Sequence, residues 1–403
     1  MTKKNRLPGI VVWFGIVSLL TDVGTEMIYP LLPLFLSDVL HAPRTFIGAV
    51  EGAAEATASL LKLVSGRLSD RLNRRKPLTV LGYGLSSLVR PLVGLASAPW
   101  HVLATRVADR FGKGVRSSPR DALLADATEP ANRGRAYGFH QAMDNAGALF
   151  GPLAATALLA AGVAMRNVFF LAAIPGALAM GALIFGVREE PRDVDSAAAK
   201  SGTAAKSGAA AVALPSVSPT LGRYLVAVAL FGLGNSSDAF LLLRAQQCGV
   251  AIKWIPMLWM VHNGTKAALS TWGGALSDRL GRRRVIVAGW ALYAVTYLAF
   301  GYVTQSWQIW ALFVVYGVYY SLVEGSEKAL VADLVPANAR GRAFGYFNFV
   351  VGIVALPASL GFGALTDRYG ARVAFMASAL LATAASLWLL AAVRPPAVPA
   401  PAR

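Results

Sequence analysis

Acidic and basic side chains at helical spacing, set inside otherwise apolar sequence, are the residues of this chain whose types and pattern could do chemistry. Asp22 and Glu26 stand one turn apart between apolar runs, ahead of Pro30 and Pro33. Two carboxylates on one helix face are costly inside a bilayer unless they meet water or a partner, so the pair is expected to line a cavity. Glu51, Glu55 and Lys62 form a similar stripe, for which a salt-bridged helix face is the competing reading. Further on, Arg106, Asp109, Arg110, Lys113, Arg116, Arg120, Asp121 and Asp126 recur every three or four residues, with Gly112 and Gly114 among them. No lipid-facing helix tolerates that stripe, so it is expected to be buried and polar-lined, its cations met by Asp22, Glu26, Glu51 and Glu55. His140, Asp144 and Asn145 follow, His140 being equally readable as a structural histidine or a proton carrier. The later part of the chain adds Asn235, Asp238, Arg244 and Lys266, then Glu324, Glu327 and Lys328 on one face.

Such groups can take up and release protons and can hold a charged or polar solute. No nucleophile–base arrangement or phosphate loop occurs, so an enzyme is not expected. Four scattered histidines argue against a metal site, and Met257, Met260 and His262 read as packing; no cofactor is expected. The single cysteine, Cys248, rules out an internal disulfide.

The elements that must position these groups are membrane-spanning helices. Of the 403 residues, 56% are hydrophobic and 15% charged, an apolar share well above that of a soluble domain. About twelve spans can be placed, at 8–36, 45–65, 77–97, 100–126, 135–163, 167–187, 223–245, 254–277, 285–304, 307–333, 342–365 and 372–393. The net charge of +17 could suggest a nucleic-acid partner, but the Lys and Arg of the loops gather on one side, which is the topological bias of a multi-pass protein with both termini cytoplasmic. Asp367, Arg368 and Arg372 dissent, falling in an outer turn. The composition turns to Ala, Ser, Gly, Lys and Pro after Arg188, giving four expected regions: a bundle over 1–187, a flexible cytoplasmic linker over 188–222, a second bundle over 223–393 and a cytoplasmic tail over 394–403. The predicted fold class is therefore an all-α polytopic membrane protein of about twelve transmembrane helices in two pseudo-symmetric six-helix bundles.

Pseudo-symmetry rests on an internal repeat. The stretch from Gly66 to Lys76, with Asp70, Arg71 and Arg74, returns from Gly274 to Arg284, with Asp278, Arg279 and Arg282. Asp126, followed by Arg133, Gly134 and Arg135, returns as Asp333, followed by Arg340, Gly341 and Arg342, at an offset that agrees to within one residue.

On these residues the chain resembles the major facilitator superfamily. That family's signature Gly-x-Leu-x-Asp-Arg-x-Gly-Arg-Lys falls on 66–75, with Asn73 for its last glycine, and on 274–283, with Arg283 for its lysine. The resemblance runs from about residue 8 to 393. It implies two bundles rocking about a central cavity in alternating access. By position it implies cytoplasmic gate clusters of Asp70 and Arg74 with Asp126, and of Asp278 and Arg282 with Asp333. Arg106 sits where the family often has an arginine tied to proton coupling, although Asp109 and Arg110 replace the usual Gln-Gly. Gly147, Gly151 and Pro152 match the start of the fifth-helix antiporter motif, with Ala154 and Ala155 at its closing glycines.

The expected function is secondary active transport at the plasma (inner) membrane by a monomer whose partners are protons, lipid bilayer and a small-molecule substrate. Asp22 or Glu26 is the expected proton carrier, with Asp144 in reserve and Arg106, Arg116 or Arg120 as the switching partner. Proton-coupled export of a small organic compound is the first reading. Uptake of an anionic metabolite is the rival, because Lys113, Arg116 and Arg120 offer an anion site. A membrane sensor that binds without transporting is a third.

Overall fold

The computed structural model describes residues 7–71, 75–128, 133–189, 218–336 and 340–393. Among these residues every regular element is helical, and twelve helical passes follow one another: α1 (Gly9–Val39), α2 (Arg44–Arg71), α3 (Lys76–Leu95), α4 (Pro99–Asp126), α5 (Arg133–Ala160), α6 (Met165–Gly186), α7 (Pro219–Gln247), α8 (Ile255–Leu280), α9 (Arg282–Tyr302), α10 (Ser306–Asp333), α11 (Arg340–Tyr369) and α12 (Ala371–Ala392). The chain is an all-α polytopic membrane protein with α1–α6 and α7–α12 as its two six-helix halves. Short turns make successive helices antiparallel. One end therefore carries the basic turns after α2 and α8, and the far end carries the turns at 40–43 and Gly370.

Eight of the twelve helices are long and apolar enough to cross a bilayer on composition alone. The other four are α4, which carries the ionic stripe, and α2, α5 and α8. The halves meet along two seams, α2 against α11 and α5 against α8. A helix that faces a seam and a cavity rather than lipid can afford polar residues, which is why hydropathy alone passes these over.

Close approach along the first seam needs side chains to be missing. A Cβ on Gly52 would stand 2.6 Å from the Leu356 Cα, and one on Gly48 would overlap the Ser359 carbonyl. At the far end the same seam is bonded: the backbone N–H groups of Arg44 and Thr45 donate to the two oxygens of Asp367 at 2.9 and 2.8 Å, and Thr45 Oγ1 donates at 2.7 Å. The Gln246 amide also reaches Asp38 across the halves. Asp367, next to the dissenting Arg368, thus caps α2 from the other half.

The cores of the halves differ. The first has a small apolar cluster of its own around Phe14, Tyr83 and Leu123, while Leu31, Phe35 and Phe169 join the larger cluster that continues into the second half. The second is built on aromatic rings, with Tyr293 stacked on Tyr297 at 4.0 Å, Phe231 on Trp290 at 4.6 Å and Phe300 on Phe375 at 5.8 Å.

Two boundaries differ from the sequence reading. The region expected as linker to 222 gives way to helix at Pro219, because Ser218 caps it by accepting from the Leu221 N–H at 3.2 Å. Most of that linker, 190–217, and the tail 394–403 lie outside the described residues. The seventh pass is also broken: it leaves the α-helix after Gly234 and resumes at Ala239.

Candidate functional site

The α1 helix brings Asp22 and Glu26 to a cavity of about 430 Å³ between the halves. Its first-half wall is Asp22, Glu26 and Tyr29 from α1, Glu51 and Glu55 from α2, Arg90 from α3, and Arg110, Lys113 and Arg116 from α4. The second half contributes Asn235, Ser236, Ser237 and Asp238 from the α7 break, Trp259 from α8, Tyr320 from α10 and Ser359 from α11. The break matters because residues that leave the helix turn side chains and backbone toward the cavity that a continuous helix would direct elsewhere.

The α4 cations are met differently from expectation. Arg106 Nη2 holds both oxygens of Glu51, at 2.9 and 3.0 Å, with both residues nearly buried and the guanidinium over the Tyr29 ring. Asp109 is taken by Arg90 of α3 at 2.8 Å, and Arg90 also donates to the Thr21 carbonyl at 3.1 Å. Arg120 pairs with its neighbour Asp121 at 2.8 Å. Arg116 lies over the Tyr83 ring and donates to Ser86 Oγ at 2.7 Å. Among the described residues Arg110, Lys113 and Arg116 form no ion pair, and neither do Asp22, Glu26 and Glu55 across the cavity from them. Of the four acids expected to meet the α4 stripe, only Glu51 does so directly. The remaining groups face one another across open volume, which is the arrangement a charged or polar cargo can enter.

Glu26 does have a partner. Trp259 Nε1 of the second half donates to its Oε2 at 2.8 Å. Asp144 accepts from Ser18 Oγ and stands 3.5 Å from His140 Nδ1. It lines a second cavity of about 340 Å³ together with Asp22, Lys113, Arg116 and Arg120.

The α5 glycines explain how α1 is held. Gly147 abuts Asp22, where a Cβ would come within 2.7 Å of the Asp22 Cβ, and Gly151 abuts Glu26 at the same separation. Pro152 follows inside the helix. The motif is the contact surface for the two carboxylate positions.

Toward the basic end a third cavity, about 480 Å³, runs from Asp22 and Glu26 past Asp144 to Lys266, Glu324 and Lys328. Glu324, exposed at its rim, pairs with Lys266 at 2.9 Å and Lys328 at 3.2 Å. Three expected cavity residues line none of these three cavities: His140, buried beside Asp144, and Glu327 and Arg244. Glu327 accepts from Trp290 Nε1 at 3.0 Å among the second-half aromatics, about 100° round α10 from Lys328. Arg244 donates to the carbonyls of Phe300 and Val303, at 2.9 and 2.8 Å, and secures the end of α9.

At the basic turns, Arg74 and the Asp70 side chain lie outside the described residues. Asp126, expected to join them, pairs with Arg75 at 2.8 Å. Glu189 accepts the Arg75 and Lys76 N–H groups at the start of α3, at 2.7 and 2.8 Å. In the second half Arg282 pairs with Asp278 and reaches Asp333 at 3.5 Å. Arg90, Arg110, Ser236 and Trp259 were not among the expected site residues. Arg110 had a signal in the α4 stripe; Trp259 had none, since a tryptophan in an apolar helix reads as packing.

Two helical bundles that meet over an ion-lined cavity, bonded together at one end and lined by exposed polar groups toward the other, define a membrane transporter. The chain belongs to the major facilitator superfamily, whose family model matches residues 14–261 and 245–403. An uncharacterised transporter of that type from Methanocaldococcus jannaschii is 32% identical over 383 residues, 93% of each chain. The multidrug resistance protein MdtH of Edwardsiella ictaluri is 29% identical over 143 residues, 36% of this chain and 35% of its own. Among solved structures, a bacterial homologue of the human lysosomal transporter Spinster in an inward-facing, occupied conformation superposes with a TM-score of 0.75 at 15% identity, over 95% of this chain and 96% of that one.

Proposed function

We propose that this transporter couples proton entry to export of a small organic compound by antiport across the plasma (inner) membrane, with its basic end and both termini cytoplasmic. The observation that carries the reading is that Asp22 and Glu26 sit in the cavity shared by the halves, with no ion pair, on the helix surface that Gly147 and Gly151 hold. A carboxyl group alternately close to and far from guanidinium groups changes its hold on a proton, and rocking of the halves changes that proximity. Proton and cargo then compete for the same face of α1. The partial likeness to MdtH supports the direction of transport over about a third of the chain. The far end bonded through Asp367 and the polar cavity leading to the basic end support reading this conformation as the one that loads from the cytoplasm.

The test is transport driven by an imposed pH gradient in liposomes, with a cargo found by thermal-shift screening. Asp22→Asn and Glu26→Gln are each expected to lower pH-driven transport at least about tenfold while counterflow persists; if both keep full pH-driven transport the assignment fails. A second reading, proton-linked uptake of an anionic metabolite, is favoured by Arg110, Lys113 and Arg116 lacking carboxylate partners among the described residues. Everted vesicles separate the two, since accumulation inside them when the lumen is acid occurs only for the exporter.

A further inference from the structure

Among the described residues, side-chain hydrogen bonds join the halves at three places. Two are at the far end, Asp367 with Arg44 and Thr45, and Gln246 with Asp38. The third is inside the cavity, where Trp259 of α8 donates to Glu26 of α1 at 2.8 Å. The indole is 6% exposed and fixed from both halves, 5.2 Å from the Tyr29 ring and 4.9 Å from His262, so its N–H has a defined aim.

We infer that Trp259 is the positioning residue through which the second half responds to the charge on Glu26. This rests on the reading of Glu26 as a proton carrier. An ionised carboxylate accepts an N–H bond roughly twice as strong as a neutral acceptor does. Ionised Glu26 therefore draws α8 onto α1, and protonated Glu26 releases it. The proton is then read by a contact that spans the moving interface, whereas the ion pairs of Arg106 and Arg90 lie within one half and move with it.

Other charged groups face Glu26 and titrate or screen alongside it. Asp22 lies on its own helix, with Glu51 and Glu55 on α2, Arg90 on α3, Arg110, Lys113 and Arg116 on α4 and Asp238 on α7 in the same cavity. Toward the basic end Asp144 of α5, Lys266 of α8, and Glu324 and Lys328 of α10 share the third cavity with it, and His262 packs on the indole. The experiment must therefore isolate the part that belongs to Glu26.

Full-length protein in lipid nanodiscs, with Cys248→Ser and spin labels at Gly138→Cys on α5 and Leu280→Cys on α8, reports the ratio of the two conformations by interlabel distance. Between about pH 5 and about pH 9 the parent is expected to change that ratio roughly tenfold, the worth of one hydrogen bond to a charged group. Trp259→Phe keeps the ring on Tyr29 and removes the N–H; its pH response should fall to that of Glu26→Gln, and the double variant should add nothing. Should Trp259→Phe fail to fold, Glu26→Asp withdraws the carboxylate from the indole and should lose the response in the same way. A parent without a pH response overturns the inference, as does Trp259→Phe with the parent's response or with an equal effect in the Glu26→Gln background. Parallel pH-driven transport distinguishes the two levels. A parent that does not couple to protons defeats the proposed function, and one that couples while Trp259→Phe responds normally defeats only the role of Trp259.

Discussion

Arg106 occupies the position that the family resemblance ties to proton coupling, yet its guanidinium is committed to both oxygens of Glu51, with 5% and 8% of the two residues exposed. A buried pair of this kind adds little over an apolar pair of the same shape, but breaking one side strands the other charge. Arg106→Ala is accordingly expected to destabilise the protein by about 3 kcal/mol, and Arg106→Met with Glu51→Gln to recover most of the loss. Thermal melts of the purified variants check this; equal melting of the single and double variants would remove the pair from the account. Arg110, Lys113 and Arg116 have no carboxylate partner among the described residues, and since Arg116 is bonded to Ser86, the freedom to meet a cargo or a titrating acid belongs first to Arg110 and Lys113.

Helices α4 and α10 are repeat mates that have taken opposite chemistry. The first carries the ionic stripe, while the second presents Tyr316, Tyr319 and Tyr320 to an aromatic cluster. The cavity is thus strongly ionic on one wall and, apart from Asp238, aromatic and neutral polar on the other, and the α5 glycines let that helix pack directly on the carboxylate positions of α1. A Cβ at Gly151 would lie 2.7 Å from both the Glu26 Cβ and the Val23 carbonyl, which are backbone-fixed and cannot yield cheaply. Gly151→Ala should cut transport more than about tenfold and cost about 1–3 kcal/mol of stability. On the same helix Gly138→Ala meets nothing within 4 Å and should leave transport intact. Equal behaviour of the two in a vesicle assay would sever the glycine contact from function. Much of this scale was legible in sequence: the three-to-four spacing of Arg106, Asp109, Arg110 and Lys113 fixes a buried polar helix, and the repeat of Asp70 and Asp126 in Asp278 and Asp333 fixes two halves. Periodicity gives a face but not the neighbour behind it, so Glu327 and Arg244 were expected in a cavity and instead bind Trp290 and the end of α9. Trp259 and Glu26 meet across 233 positions of chain, where spacing carries no information.

For the whole molecule, the question is what favours the conformation closed at the far end. The α2–α11 seam is tight through Gly48 and Gly52, but packing alone is available along much of its length. The feature confined to the end is Asp367, whose carboxylate accepts two backbone N–H groups at the start of α2 and the Thr45 hydroxyl. It satisfies donors that a helix leaves free at its N-terminus and adds the attraction of a negative charge for that pole. The bonds are exposed, so water replaces them at modest cost when the end opens, and their net worth is about 1 kcal/mol, or roughly fivefold in the closed-to-open ratio. That suits a gate, since a contact worth much more would hold the carrier in one state. Asp367→Ala should therefore shift the equilibrium toward the far-end-open form without unfolding it. A probe is available in Ser359, 3% exposed, whose carbonyl lies against Gly48 and whose residue lines the central cavity. With Cys248→Ser and Ser359→Cys, a membrane-impermeant maleimide added at the far face should label the Asp367→Ala variant about fivefold faster than its parent. Unchanged labelling would mean that Asp367 has no part in the gate, and that packing with the Gln246–Asp38 bond closes the far end.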